Sequence, residues 1–143
     1  METDEYADEW ERIASSPCPC SSDASYEDCC QPFHRGHSKP ATAEQLMRSR
    51  YSAYAYRQVD YLIESYHPSM RSKRLREDLI ATIQNADWIY LRILSSSGGK
   101  EGDKQGKVAF FAGYFMDGEQ LETREHSRFR RFEGDWKYYD DGG

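Results

Sequence analysis

The four cysteines of this chain all lie between positions 18 and 30. They are arranged as Cys18-x-Cys20, eight residues, and then the adjacent pair Cys29-Cys30. A cluster this local does not tie distant loops together as a disulfide framework does, and neighbouring cysteines do not bridge each other without strain. Four thiolates from one short loop suit tetrahedral Zn²⁺. The sequence therefore predicts one zinc ion held by these four cysteines.

Four protein ligands leave no open coordination position for water or substrate, which predicts a structural and not a catalytic metal. Two other interpretations stay open, namely reduced or transiently oxidised thiols, and an iron–sulfur cluster or another metal. His34 and His37 follow the cluster closely, and either could replace a cysteine as a ligand. We expect instead that they are ordinary loop histidines or hydrogen-bond donors to the ligands.

The cysteine spacing resembles that of the SEC-C motif, the small zinc module at the C-terminus of the SecA preprotein translocase. The segment that starts with CCQPFHRGHSKP, Trp88 with the residues after it, E-x-S-x-F at Glu125 to Phe129, and the closing WKYYDDG are similar to the YchJ-like bacterial family. The resemblance covers about residues 17–142. It implies a SEC-C module joined to a cone-shaped α+β core that resembles nuclear transport factor 2, and it implies no characterised activity.

The chain departs from the family pattern inside the cysteine loop. The family usually reads C-P-C-G-S-G-K, and here Ser21, Asp23 and Ala24 stand at the two glycines and the lysine. Glycine adopts a positive φ without steric cost, Asp tolerates it better than most residues, and Ser tolerates it less well. A lysine would also offset the negative charge of four thiolates on zinc. These departures bear on the affinity for the metal more than on the ligand set.

Helix signals follow the cysteines. Thr42 to Gln45 is typical of a capping box at the start of a helix. A second, short helix is predicted to begin at Asp60 and to end at the His67-Pro68 pair. Apolar residues at helical spacing predict a third helix, and they are Leu75, Leu79, Ile80 and Ile83.

After Asn85 the hydrophobic period changes to two, which predicts strands. Residues 95–107 are polar and glycine-rich and are predicted to form a long mobile loop. Asp117-Gly118 is typical of a hairpin turn. The predicted strands cover residues 88–94, 108–116, 121–132 and 136–140.

Helices followed by an antiparallel meander predict an α+β fold in which the helices pack on one face of a curved antiparallel sheet. We expect three segments. Residues 1–16 form an acidic leader that is predicted to be disordered, residues 17–38 form the zinc module, and residues 39–143 form the domain that resembles nuclear transport factor 2.

The charge distribution limits the classes of partner. The net charge is −6, and the first twelve residues hold six acidic residues against one basic residue, Arg12, so the rest of the chain is almost neutral. No overall field attracts nucleic acid. A local basic stretch is predicted to be a solvated face or a patch for an acidic partner such as ribosomal RNA. Its members are Arg71, Lys73, Arg74 and Arg76, with Arg48, Arg50 and Arg57 on the first predicted helix.

The sequence offers no targeting segment. The N-terminus is acidic, and the longest apolar run, Val108 to Met116, is far shorter than the roughly 20 residues that span a bilayer. We therefore expect a cytoplasmic protein that does not enter the membrane. The sequence leaves the oligomeric state open.

The leading functional hypothesis is a non-catalytic interaction or ligand-binding module. In this hypothesis the zinc module contacts a protein or ribosomal partner, and the core serves as a platform or binds a small molecule. The closed metal site and the lack of a nucleophile–base signature favour it. A docking role for the zinc module follows from its resemblance to the SEC-C motif.

The competing hypothesis is an enzyme, and it depends on Glu125. Alternation places Glu125 on the apolar side of its strand, which predicts a raised pKa or a paired cation. With Tyr54, His67 and Trp88 it could form a proton-transfer pocket for a small apolar substrate. The structural alternative is a buried hydrogen bond between Glu125 and a helix arginine, Arg48 or Arg50.

Overall fold

The computed structural model describes residues 5–142. The helices and strands follow each other along the chain with the helices first. The helices are α1 (Glu5–Ala14), α2 (Gln31–His34), α3 (Ala43–Ala55), α4 (Val59–Ser65) and α5 (Leu75–Asn85), with 3₁₀ turns at Tyr26–Asp28 and Pro68–Met70. The strands are β1 (Asp87–Gly98), β2 (Gln105–Met116), β3 (Glu119–Phe132) and β4 (Asp135–Asp140).

The four strands form one antiparallel sheet in the order β1-β2-β3-β4. Asp117 and Gly118 connect β2 to β3 with φ values of 53° and 78°, and two positive φ angles suit the twist of a tight hairpin. Irregular register within β1, after Trp88 and after Ile93, bends the strand. The prediction of an α+β fold with helices on a curved antiparallel sheet is confirmed.

Helix α3 covers the inner face of the sheet and contacts β1, β2 and β4. Thr42 caps it, because the Thr42 hydroxyl accepts from the Gln45 N–H at 3.1 Å while the Gln45 side chain accepts from the Ala41 N–H at 2.7 Å. The predicted capping signal therefore marks the real start of the helix. Buried residues of α3 and the sheet form the main core, and they include Leu46, Met47, Tyr51, Leu91, Val108, Phe110 and Phe129.

Helices α4 and α5 pack around the end of α3 in a second apolar cluster. Ala53 and Leu62 are fully buried in this cluster, and Leu79 and Ile83 are nearly so. Ile80, which the spacing grouped with these residues, is 37% exposed instead. It lies next to Leu79 in the helix, about 100° around the axis, and so falls outside the buried stripe.

The first hairpin is longer than the sequence predicts. Strand β1 continues to Gly98 and β2 begins at Gln105, so the predicted loop over 95–107 shrinks to residues 99–104. Ser96 pairs with Val108 and Gly98 with Gly106. Backbone groups make these ladders, which need no apolar side chains, and a polar glycine-rich composition therefore conceals them.

The sequence predicts a disordered leader over residues 1–16, whereas the structure has helix α1 over Glu5–Ala14. Gln31 Nε2 donates to the Trp10 carbonyl at 2.9 Å, and the Trp10 ring stacks on Tyr26 with centroids 6.5 Å apart. The acidic composition conceals this contact, which Trp10 and Ile13 make by packing against the main core. Residues 1–4 lie outside the described part, and the predicted boundaries at 16 and 38 stay predictions. From residue 5 to residue 142, no helix is both long and apolar enough to cross a membrane.

Candidate functional site

The structure brings the four cysteine Sγ atoms within 4.8 Å of one another. The Sγ of Cys29 lies 3.5 Å from that of Cys20 and 3.8 Å from that of Cys30. A tetrahedral Zn²⁺ with Zn–S bonds of about 2.3 Å holds its sulfurs about 3.8 Å apart. The cluster therefore fits a closed four-thiolate zinc site. Neither His34 nor His37 belongs to the group of ligand atoms.

Protons are shared unequally among these thiols. Hydrogen bonds from Cys18 and Cys30 place the pKa of Cys20 far below its usual value. The same hydrogen bond to Cys20 raises the pKa of Cys18 to about 12, and contacts with Cys18 and Cys20 raise that of Cys30. Of these three cysteines, Cys20 is thus the one that favours the thiolate, and a divalent cation that binds the sulfurs must displace the protons of Cys18 and Cys30.

The loop between the cysteines closes on itself through its backbone. The Cys18 N–H donates to the Ala24 carbonyl at 2.9 Å, and Pro17 and Ser25 form an antiparallel bridge. Within the loop, Ser21 and Asp23 adopt φ values of 67° and 70°. These are the positions where the family resemblance implies glycine, so the structure keeps the glycine-type turn at a steric cost of roughly 1–2 kcal/mol per residue.

Arg48 supplies a positive charge beside the cysteine cluster. Its Nη1 donates to the Cys20 carbonyl at 2.9 Å, and its Nε lies 3.4 Å from Glu44. The sequence predicts Arg48 as part of a solvated face or as a partner of Glu125. The structure places it beside residues 17–38, called here the cysteine module. A cation from α3 therefore stands near the cluster, although the loop itself lacks the lysine.

His34 connects the cysteine module to α3. Its Nε2–H donates to the Ser49 carbonyl at 2.8 Å, which leaves Nδ1 to accept from the Tyr26 hydroxyl. Burial lowers the pKa of His34 to about 4, so the ring is neutral at physiological pH. The Tyr26 ring also packs edge-on against Tyr56 at 4.6 Å. His37, in contrast, is exposed.

A second polar interior lies between α3 and the inner face of the sheet. It is a cavity of about 220 Å³. Three of the four predicted pocket residues, Tyr54, Trp88 and Glu125, line it together. The full lining is Met47, Arg50, Tyr51, Tyr54, Tyr66, Thr82, Trp88, Phe110, Ala112, Thr123, Glu125, Ser127 and Tyr138.

The fourth predicted pocket residue, His67, lies elsewhere. Its ring packs against Phe132 and Tyr139, with centroids 5.6 and 5.7 Å away. Tyr66 bridges to Tyr138 and lines the cavity, and the next residue in an extended segment points to the opposite side. The structure therefore does not bring His67 to this cavity.

Glu125 faces the cavity, as the alternation of β3 predicts. Burial raises its pKa, the charge of Asp141 adds to this effect, and the charge of Arg50 opposes it. The Thr123 hydroxyl donates to it at 3.5 Å. Among the ion pairs of the described residues, none joins Glu125 to Arg48 or Arg50. The predicted structural pair is therefore not formed as a direct contact.

Arg50 is the buried cation of the cavity. It is 5% exposed, and its Nη1 donates to the Ser65 hydroxyl at 2.5 Å. Its guanidinium carbon lies 4.6 Å from the Tyr66 ring centroid and 4.0 Å from that of Tyr138. The sequence treats Arg50 as a surface residue or as a partner of Glu125. Its position four residues before Tyr54, on the same helix face, is the signal that could have placed it in the cavity.

Two buried polar atoms of the cavity wall have no hydrogen-bond partner among the described residues. They are Nε1 of Trp88 and Oγ of Ser127. Ser127 is 1% exposed and lies two residues from Glu125 on the same face of β3. Buried polar groups in proteins nearly always have a hydrogen-bond partner, so these two atoms are exceptions that need a physical reason. The alternation of β3 predicts that Ser127 faces inward. It does not predict that the Ser127 hydroxyl lacks a hydrogen-bond partner.

Most of the predicted basic stretch is engaged within the molecule. Arg76 pairs with Asp60 at 2.7 Å and Arg74 with Glu77 at 2.8 Å. Arg71 donates to the backbone carbonyls of Glu64 and Tyr66. Arg48 and Arg50 are held at the cysteine cluster and in the cavity, so these two residues do not lie on an exposed face with the others.

A four-cysteine module in front of a helix-covered, curved antiparallel sheet defines a SEC-C motif protein with a core that resembles nuclear transport factor 2. Residues 42–141 match the family model described as YchJ, middle NTF2-like domain. The chain belongs to this family.

Relatives cover nearly the whole chain. A UPF0225 protein of Pectobacterium carotovorum is 42% identical over 88% of this chain and 83% of its own length. The UPF0225 protein YchJ of Shigella dysenteriae is 38% identical over 88% and 82%, respectively. The solution structure of a SEC-C motif containing protein from Rhodopseudomonas palustris has a TM-score of 0.76 and 34% identity, with 86% of this chain and 94% of that chain covered.

A second solved structure supports the fold alone. The crystal structure of a SEC-C motif containing protein from Psychrobacter arcticus has a TM-score of 0.73 at 24% identity. It covers 90% of this chain and 82% of that chain.

Proposed function

We propose that this protein is a ligand-binding module in which the cavity receives a small molecule and the cysteine module, with zinc bound, stabilises one end of the core. One observation carries the proposal, namely the unpaired Nε1 of Trp88 and Oγ of Ser127 in the cavity wall. An unpaired buried polar group costs about 1–3 kcal/mol. A ligand that bonds to both atoms would relieve this cost.

The cavity has the size and composition of a binding site. Its volume of about 220 Å³ exceeds the roughly 150 Å³ of an apolar cavity that holds a benzene molecule. Ligand sites typically combine apolar and aromatic walls with a few convergent polar groups. Here Arg50, Glu125 and the two unpaired atoms are those polar groups.

The cysteine module supports the core and does not reach the cavity. Its cysteines share one apolar cluster with α3 and the sheet, and His34 and Arg48 fix it to α3. Zinc would be held by Cys18, Cys20, Cys29 and Cys30, where four thiolates leave no coordination site for chemistry. A structural role for this metal is the role that the closed donor set supports.

Small molecules that copurify with the protein provide the first test. We expect native mass spectrometry to detect a bound small molecule, and Ala112→Leu, which fills the cavity, to remove it. Ala109→Leu is the matched control, because Ala109 lies on the opposite face of the same strand. Equal retention by both variants would place the bound molecule outside the cavity.

An enzyme is the second candidate, and the raised pKa of Glu125 favours it. A buried carboxylate with a raised pKa is a suitable general base near neutral pH. His67 does not line the cavity, so Glu125 has no histidine beside it as a partner in proton transfer. Chemical conversion of a bound compound by the native protein, abolished in Glu125→Gln, would favour this candidate, and unchanged recovery of the compound would oppose it.

A protein or ribosomal partner of the cysteine module is a separate proposal. The module exposes Glu27 and Asp28 beside the cluster. If this acidic surface docks a basic protein, Glu27→Lys should weaken the capture of that protein while the metal content stays the same. Capture that is unaffected by this charge reversal would argue against docking through this surface.

A further inference from the structure

The cavity walls are suited to a flat ligand. Aromatic side chains make up much of the lining, with Tyr51, Tyr54 and Trp88 on one side. The Trp88 ring lies 5.9 Å from Tyr51 and 5.7 Å from Tyr54, so these rings already support each other. Aromatic rings prefer offset or edge-on contacts with other flat groups. A planar ring therefore uses these walls better than a branched aliphatic chain does.

The two unpaired atoms and Glu125 together favour a ligand that both accepts and donates hydrogen bonds. Trp88 Nε1 is a donor only, and Ser127 Oγ is a donor and an acceptor. Glu125, on the same strand face as Ser127, offers carboxylate oxygens that are only weakly engaged by Thr123 at 3.5 Å. A ligand that satisfies this wall presents an acceptor atom to Trp88 or Ser127 and a donor to Glu125.

The charges of the cavity favour a neutral ligand. Among the lining residues, Arg50 and Glu125 carry the formal charges, one of each sign. Arg50 is held between two tyrosine rings and by Ser65, so its charge is fixed in place. A charged ligand would be attracted by one of these two residues and repelled by the other, and burial makes its charge expensive. A ligand without net charge avoids both costs.

We propose that the ligand is a neutral, planar ring compound with an amide edge, in which a ring carbonyl stands next to a ring N–H. The carbonyl accepts from Ser127 Oγ–H, and the N–H donates to Glu125 on the same face of β3. The inference rests on the proposed binding of a small molecule in this cavity. It adds the chemical class of that molecule.

Four small probes of nearly equal size test the class. They are 2-pyridone, which carries the amide edge, benzoate as the anion, benzylamine as the cation, and toluene as the apolar ring. Affinity is measured with the metal-loaded full chain by titration calorimetry and by the shift of the Trp88 indole N–H resonance. The resonances of Trp10 and Trp136, which lie outside the cavity lining, are internal controls. We expect 2-pyridone to bind at least about tenfold more tightly than each other probe.

Two variants assign the hydrogen bonds. Ser127→Ala and Glu125→Gln should each weaken 2-pyridone binding by roughly tenfold while toluene binding stays unchanged. Ser95→Ala and Glu119→Gln are matched controls on exposed positions of β1 and β3, and they should change neither affinity.

The outcomes separate the two proposals. If toluene binds and 2-pyridone binds no better, or if benzoate or benzylamine binds most tightly, the ligand class is overturned and the cavity remains a binding site. If no probe binds and none moves the Trp88 resonance, the cavity does not accept small molecules, and the proposed function fails with the class.

Discussion

The cysteine cluster and the core cavity are both polar interiors, but they are assembled from different distances along the chain. The cluster takes its four ligands from positions 18 to 30, and a backbone bridge closes that loop. The cavity takes its polar groups from α3, β1 and β3. The local site is complete within itself, whereas the dispersed site leaves two buried atoms unpaired. A complete site suits structural support, and an incomplete one suits a ligand.

The largest effect should come from breaking the local site. Cys30→Ser, or removal of the metal with a chelator, should unfold the cysteine module, because zinc binding in small modules contributes about 10–16 kcal/mol. We expect one zinc per chain in native protein by elemental analysis, and a lower melting temperature after chelation. His37→Ala is the control and should leave metal content and stability unchanged. Native protein that contains four titratable thiols and no metal would contradict this prediction.

A smaller loss should follow from a change in the cavity wall. Arg50→Lys removes the flat guanidinium from between Tyr66 and Tyr138, and a desolvated cation–π contact contributes about 2 kcal/mol. We expect the free energy of unfolding in urea to fall by about that amount. Arg57→Lys, at an exposed position of the same region, should have no effect. An equal response of both variants would mean that the ring contacts do not stabilise Arg50.

Glu125→Gln should stabilise the protein at neutral pH, because burial raises the folded-state pKa of Glu125. The folded-state pKa of Glu125 is raised, so the native chain binds a proton that the unfolded chain has already released, and ionisation opposes folding as pH rises through that pKa. The difference in unfolding free energy between Glu125→Gln and the parent protein should be largest near pH 7. It should disappear as the pH falls below 4. Unfolding titrations over this range measure it, with Glu119→Gln as the control.

A loss of several kcal/mol in a Glu125→Ala variant would contradict this account. Such a loss is typical of a broken buried ion pair. Such a loss would support the hypothesis that Glu125 pairs with a helix arginine. It would also remove the main argument that the Glu125 carboxylate binds a ligand.

The smallest expected effect concerns the backbone of the loop between the cysteines. Ser21→Gly should stabilise the metal-loaded protein by about 1 kcal/mol, because Ser21 has a φ of 67° that costs glycine nothing. Ser22→Gly is the matched control. Ser22 does not have a positive φ, and its hydroxyl lies 3.1 Å from the Cys29 sulfur, so this variant should destabilise. Competition with a zinc-sensitive dye should show the same order of affinities.

Local rules were sufficient for much of this molecule. The cysteine spacing predicts the cluster, the Thr42 signal marks the start of α3, and the alternation of β3 directs Glu125 inward. These features depend on residues close together in the chain. The position of Arg50 and the unpaired state of Ser127 depend on which groups α3 and the sheet bring together, and no local pattern encodes that. The orientation of His67 likewise follows from the contact between Tyr66 and Tyr138, which no local pattern encodes.

The order of the two sites along the chain has a consequence for folding kinetics. All four cysteines precede β1, and a loop of this length closes at a small entropic cost. Metal binding can therefore complete the module before the sheet exists, and the module then offers Tyr26 and His34 as a template on which α3 docks. We expect zinc present at the start of refolding to accelerate the formation of the core in stopped-flow experiments. Equal rates with zinc added before or after the sheet has formed would show that the core folds without this template.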